Sequence, residues 1–302
     1  MLIKGILILL FIFSHEAQAL CGSLNITNSP NSVSLNANIN PKIQFNIYRT
    51  WSNGNCNYRV GVDRGSSSSY DRKLSNGAYV LDIDFSKNSS MNTILKDPAN
   101  ANNSNEYIDG RMSNRDTVNQ HDFYTELTLD PNAPSGIYTD TFLIKAYLDF
   151  GIFLILSDTR NIQFTYQIPD QVSLSLVNTN APFNPNDTTQ DINFGSLYGG
   201  ATRKMDVVVQ SNSGYKIDIT STNNGKIKHI GHPSTIDYVF KANGQIKDLS
   251  ASSSSPVTIA TGTGNHPNDG FRVPLEFVIQ STVNKVSGEY KDYLTITVTS
   301  HL

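Results

Sequence analysis

Charge is scarce in this 302-residue sequence. Asp, Glu, Lys and Arg together make up 16% of it, with 26 acidic against 23 basic residues and a net charge of −3. No basic field exists to hold a polyanion, which excludes nucleic acid as a partner. The low charge also separates the chain from charge-rich disordered sequences. Cysteine is nearly absent. Cys21 and Cys56 are too few for a disulfide-dense scaffold or a four-thiolate zinc site. Catalytic signatures are missing as well: there is no G-x-S-x-G elbow, no phosphate-binding glycine loop with its lysine, and no H-E-x-x-H. The one close histidine pair, His229 and His232, has no third ligand near it in sequence. These absences predict no enzyme, no cofactor and no metal site.

Long hydrophobic runs are missing too, and the one near-exception lies at the start. Lys4, the apolar run Ile6–Phe13 and Ala17-Gln18-Ala19 form the three parts of a secretory signal peptide over residues 1–19. The run is too short to span a bilayer. Leu20 stands before Cys21, where a lipoprotein signal carries a small residue. Export brings the chain into an oxidising compartment, which predicts that Cys21 and Cys56 pair.

What is plentiful is alternation. Tyr79–Phe85, Phe123–Leu129, Met205–Val209, Tyr215–Ile219 and Phe271–Ile279 each read as strands, and Gly, Pro, Asn and Ser punctuate the sequence between such runs. No long helical period competes with them, so the predicted class is an all-β sandwich.

The most informative feature is a repeat. Ser135-Gly136-Ile137-Tyr138-Thr139-Asp140 is matched by Ser287-Gly288-Glu289-Tyr290-Lys291-Asp292, and Phe142, Ile144 and Ala146 by Leu294, Ile296 and Val298, at a constant offset of 152. Period-2 alternation puts the Tyr, the Asp and the three apolar residues on one face of a strand. A weaker echo pairs Ser75–Tyr79 with Ser211–Tyr215. Two related sandwich domains follow, 20–169 and 170–302, meeting at the short joint Pro169-Asp170-Gln171.

The copies differ at their ends. After its repeat strand the first copy continues through Phe150–Leu156 into the alternating run Ile162–Ile168, whereas the second stops at Leu302. A shared fold would leave the second domain without its last strand. Five uncovered side chains there forfeit roughly 8–15 kcal/mol of burial, comparable with a domain's whole stability. Such a domain requires a strand from elsewhere, unless Val172–Val177 closes it.

Cys56-Asn57-Tyr58-Arg59-Val60-Gly61-Val62-Asp63-Arg64-Gly65, then Arg72-Lys73-Leu74, then Pro134-Ser135-Gly136-Ile137-Tyr138-Thr139-Asp140-Thr141 resemble the spore coat protein U domain, the subunit fold of archaic chaperone–usher pili. Ile192-Asn193-Phe194-Gly195-Ser196-Leu197 and Ser287–Asp292 are similar to it in the second copy, which lacks the cysteines. The resemblance implies immunoglobulin-like sandwiches, the C-terminal one incomplete. It implies a periplasmic chaperone that lends a strand, an outer-membrane usher, and a next pilus subunit that replaces the chaperone. With a whole domain ahead of the pilin domain, the chain looks like a two-domain tip adhesin, displayed at the cell surface and serving attachment and biofilm formation. A minor or adaptor pilus subunit and a secreted carbohydrate-binding β-sandwich are the alternatives.

On this reading the strand-accepting groove is lined by Tyr290, Leu294, Ile296 and Val298. Contact with an abiotic or host surface falls to Phe150, Ile152, Phe153, Leu154, Ile155 and Leu156, a segment apolar on both faces. A buried hairpin has the same sequence pattern. The Asn-rich stretch Lys96–Asp122 reads as a polar surface insertion.

Overall fold

The structure, a computed structural model, describes residues 21–36, 39–50, 54–263 and 265–301. The signal peptide expected over 1–19 lies outside the described residues. The protein is all-β and divides into two compact units, one of residues up to 130 and 136–168, the other of 131–135 and 169 onward.

The first unit contains β1 (Leu24–Thr27), β2 (Ser32–Ser34), β3 (Lys42–Arg49), β4 (Cys56–Val62), β5 (Lys73–Asn76), β6 (Tyr79–Ser86), β7 (Ile108–Met112), β8 (Val118–Thr128), β9 (Gly136–Asp149) and β10 (Leu154–Ile168). They form one folded-over sheet in the order β1-β3-β8-β6-β5-β9-β10-β2, with β4 pairing both β7 and β9. The fourteen-residue β9 joins the two halves. It pairs β5 near its start, β4 near its end, and β10 along its whole length. Alternation places Phe85, Phe142 and Phe164 in the centre, where their rings meet at centroid distances of 4.9–5.8 Å.

Two devices close this unit. Cys21 and Cys56 form a buried disulfide, sequence separation 35. A bulge between Leu156 and Asp158 of β10 turns Ser157 and Asp158 toward β1. Their side chains accept from the amides of Leu24, at 2.8 Å, and Ile26, at 2.6 Å. The outer edge of β1 is thereby occupied by side chains instead of a further strand.

Lys96–Asp122 is not the loose polar insertion its composition suggests. It carries two short 3₁₀ turns, β7 and the beginning of β8. It is fastened by the ion pairs Lys96–Glu106 and Lys145–Asp97, both 2.8 Å, the Asp97 carboxylate being buried. Two fully buried arginines fix the neighbouring backbone. Arg49 donates to the carbonyls of Asp116, Gly54 and Ser113. Arg72 donates to those of Asp63, Val62 and Leu95. Burial lowers the Arg72 pKa to about 10.

The second unit contains β11 (Val172–Val177), β12 (Thr202–Ser211), β13 (Gly214–Ser221), β14 (Lys226–His229), β15 (Thr235–Ala242), β16 (Gln245–Lys247), β17 (Val257–Gly262), β18 (His266–Ile279), β19 (Tyr290–Lys291) and β20 (Leu294–His301). One sheet runs β11-β12-β18-β15-β14-β19, with β16 on β15, and the other β17-β13-β20. Val207, Val209, Val273, Leu275 and Phe277 from the first meet Tyr215, Ile217, Ile219 and Ile259 from the second in a single core. The echo between Ser75–Tyr79 and Ser211–Tyr215 is one of turn chemistry only. The first turn joins two paired strands, β5 and β6; the second carries the chain from one sheet to the other.

Two outcomes follow for the first unit. Cys56→Ser, or reduction, removes about 3–4 kcal/mol, read as a lower urea midpoint of its unfolding transition. His121 packs its ring on Tyr58 and its Nε2 lies 2.6 Å from the Tyr58 hydroxyl; burial lowers its pKa below the ordinary 6.5. The unfolded chain takes up a proton that the folded chain resists, so stability present above pH 6.5 is lost as the pH falls below it. Denaturation at pH 7.5 and at pH 5 should show this loss, and His121→Gln should flatten it.

Candidate functional site: the open edge of β20

The sequence of β20, Leu-Thr-Ile-Thr-Val-Thr, alternates without interruption and turns Leu294, Ile296 and Val298 to the core side. Its partner β13 lies antiparallel to it, with Ile219 beside Ile296 and Ile217 beside Val298. On β13 the inward side chains Tyr215, Ile217 and Ile219 are 0% exposed. On β20 all three inward side chains are only half-buried. The reason is topological: among the described residues, no strand pairs with the other edge of β20. Val172–Val177, the strand able to close that edge, pairs with β12 instead.

The internal repeat shows what a closed edge looks like. In the first unit, Tyr138, Phe142, Ile144 and Ala146 of β9 are at most 1% exposed, and the strand is paired by β10 on one edge and by β4 and β5 on the other. Their counterparts Tyr290, Leu294, Ile296 and Val298 are all half-buried. The two strands are equivalent in detail. The Asp140 carboxylate accepts from the amide of Thr141 at 2.8 Å and the hydroxyl of Ser66 at 3.0 Å. The Asp292 carboxylate accepts from the amide of Tyr293 at 2.9 Å and the hydroxyl of Ser221 at 2.6 Å. Gly136 and Gly288 both have positive φ, 133° and 145°. A side chain at either would collide with Asn76 or with the His229 ring.

Beside β20 runs a groove of about 1070 Å³. Tyr290, Leu294 and Ile296 line it together with residues 188–197. Tyr238 and Phe277 contribute to its lining. The Tyr238 hydroxyl donates to Asp292 at 2.8 Å, and its pKa is raised by burial and then by the Asp292 charge. Ile192 and Phe194, alternate residues of this lining, are half-buried and pack on the core, although no strand pairing is formed there.

The structure brings three of the four groove residues read from the sequence together, since Val298 is not part of the groove lining. Tyr290 also departs from the expected continuous strand. The strand breaks at Asp292 and Tyr293, and Tyr290 belongs to β19, paired with β14 in the larger sheet. Its hydroxyl donates to the carbonyl of Val286 at 2.7 Å. Sequence reasoning missed Ile192 and Phe194 as groove lining, although their i, i+2 spacing was available as a signal. The His229 and His232 rings lie 5.9 Å apart. No group of three potential metal-ligating side chains occurs among the described residues.

The apolar segment of the first unit is the β9–β10 hairpin tip. Gly151 and Ile152 form its two-residue turn, with a φ of 80° at Gly151, and the Phe150 amide donates to the Phe153 carbonyl at 3.1 Å. Ile152 is 92% exposed and Leu156 50%. Phe150, Phe153, Leu154 and Ile155 are half-buried, and the two phenyl rings pack at 5.1 Å. The hairpin tip is not fully buried: Ile152 and Leu156 are exposed and its other four apolar residues are half-buried.

The chain matches no protein-family model, and no curated protein matches it. Among solved structures it is similar to three adhesin structures. The first is the CsuC–CsuE chaperone–tip adhesion subunit pre-assembly complex from archaic chaperone–usher Csu pili of Acinetobacter baumannii (15% identity, 91% of this chain and 99% of that chain, TM-score 0.41). The second is CfaE, the adhesive subunit of CFA/I fimbria of enterotoxigenic Escherichia coli (13%, 92% and 94%, 0.44). The third is the CupB6 tip adhesin from Pseudomonas aeruginosa (8%, 92% and 95%, 0.43). At such identities and scores, the chain's own geometry carries the functional reading.

The open edge predicts unequal costs across one strand pair. Ile217→Ala should destabilise the partner-free chain by about 2–5 kcal/mol, and Ile296→Ala by less than half as much. Equal costs in denaturant titrations would mean that the edge is closed.

Proposed function

We propose that the chain is a tip adhesin of a chaperone–usher fibre, whose second unit joins the fibre by accepting a strand and whose first unit makes surface contact. One observation carries this reading: the inward side chains of β20 are half-buried, while their repeat counterparts on β9 are sealed by β10. An added strand offers main-chain hydrogen bonds to the free edge and covers Leu294 and Ile296, each worth about 1.5–3 kcal/mol when fully buried.

An unpaired, alternating apolar edge is also an aggregation hazard. This favours a periplasmic chaperone that occupies the groove during export, an outer-membrane usher at which the chaperone is released, and a next subunit whose strand replaces it. In the first unit the Phe150–Leu156 tip presents the exposed Ile152 and Leu156 at the end of the β9–β10 strand pair. Such a tip suits a hydrophobic patch on an abiotic or host surface and biofilm formation. Binding and assembly, without bond chemistry, account for both features.

Secreted without a chaperone, the mature chain should aggregate or be degraded; with one it should be recovered as a soluble one-to-one complex. A stable monomer with normal thermal unfolding in the chaperone's absence would overturn the strand-acceptor reading. For the tip, Phe153→Ser with Leu154→Ser should leave fibre display intact and reduce attachment to a hydrophobic surface at least fivefold. Unchanged attachment on normally displayed fibres would remove the hairpin from the contact.

A further inference from the structure

The apolar tip and the joint to the second unit lie at the two ends of one strand. β10 starts at Leu154, next to the exposed Ile152 of the hairpin turn, and ends at Ile168. The following residue, Pro169, belongs to the second unit. The other leg of the hairpin covers the same span. β9 runs from Gly136 to Asp149, and the segment just before it, Pro131–Ser135, also belongs to the second unit. The legs pair throughout, from Gly136 opposite Ile168 to Asp149 opposite Leu154.

An extended strand has little length left to give. A strand rises about 3.2–3.4 Å per residue, and a fully stretched chain reaches only about 3.3–3.6 Å. As a flexible coil, the 15 residues of β10 would average roughly 20 Å from end to end and lengthen under load. The rest of the first unit keeps them straight. β9 pairs along one edge, and β2 pairs in parallel with Gln163–Thr165 on the other. The Gln163 amide donates to the Asn31 carbonyl at 2.9 Å, the Leu35 amide to the Thr165 carbonyl at 2.8 Å, and the Arg160 guanidinium to the Asn31 side chain at 2.6 Å. Ile162 and Phe164 anchor the strand in the core. The one interruption of the ladder is the bulge after Leu156, and there Ser157 and Asp158 are held by the amides of β1.

We infer that β10 is a tie rod: tension applied at Ile152 and Leu156 passes along an already extended backbone to Pro169, while the rest of the first unit braces that strand without being stretched. The inference rests on the tip-contact reading and adds how force leaves the contact. Unfolding the sandwich adds almost no length between the two loaded points, so tension does almost no work toward unfolding it. The ladder hydrogen bonds lie across the strand axis and not along it. The entropy of straightening the strand is lost at folding and not at loading. Force between other points acts differently. Between Ser68 and Asp170 about 100 residues of folded chain stand in the path, and their unfolding releases roughly 30 nm.

Single-molecule pulling on the full mature chain, purified with its chaperone, tests this. Handles are attached by thioether at Ile152→Cys with Asp170→Cys, or at Ser68→Cys with Asp170→Cys. The first pair should lengthen by no more than about 2 nm up to rupture of the handles. The buried Cys21–Cys56 disulfide, reached by added thiol only on unfolding, should then be reduced no faster than without force. The second pair should give a step of roughly 30 nm and reduction at least tenfold faster. Phe85→Leu, a core change, should lower the force of that step and leave the first geometry unaltered. A lengthening of about 3 nm or more from the first pair, or equal acceleration of reduction in the two geometries, overturns the tie rod. The handles are covalent, so these traces do not depend on adhesion. Unchanged attachment of the Phe153→Ser, Leu154→Ser fibres removes the tip-contact reading and leaves the mechanics of β10 to be read from the traces alone.

Discussion

A sandwich strand seals its inner side chains when its edges are covered, by a strand or, as at β1, by side chains from elsewhere in its unit. The fold of this protein is two answers to that constraint. In the first unit β9 has β4 and β5 on one edge and β10 on the other, and its inward residues are sealed. In the second, β20 has β13 alone, and the equivalent residues stay half in water. The side-chain chemistry is the same in both. What differs is one missing neighbour, and the proposed assembly role follows from that difference.

The Asp of the repeat has a positional task that makes the comparison valid. In each copy its carboxylate takes the next residue's amide and a serine hydroxyl from a different strand or loop. The strand is thus pinned to its sandwich at one point, independently of whether its far edge is filled. An acceptor strand held in this way keeps its register while its edge is vacant. That lowers the conformational cost of adding a partner.

Much of this was legible in the sequence, and the failures have physical causes. The alternation of Leu294–Thr299 and the Gly-x-Tyr-x-Asp repeat sufficed to find the acceptor strand and the imbalance between the copies. Tyr290 was misplaced because the chain leaves the ladder at Asp292 and Tyr293 and Tyr290 pairs with β14 in the larger sheet, a tertiary choice that periodicity does not encode. Nothing in the sequence marks Arg49 and Arg72 as buried, yet both lie under loop carbonyls, since a guanidinium has enough donors to satisfy several chain segments at once. The same polar chemistry turned Lys96–Asp122 from an apparent loop into a fastened part of the fold. Phe150–Leu156 remained ambiguous because a run apolar on both faces describes a core strand and a protruding tip equally well. Ile152 and Leu156 are exposed and the other four half-buried, a division that the sequence pattern does not encode.

The bulge in β10 has a consequence for how many links the molecule can make. Ser157 and Asp158 take the outward amides of β1, and a disulfide ties the chain just ahead of it to β4. The outer amides of β1 are thus taken within its own unit, so this edge cannot extend a neighbouring copy's sheet, whereas among the described residues no strand takes the outer edge of β20.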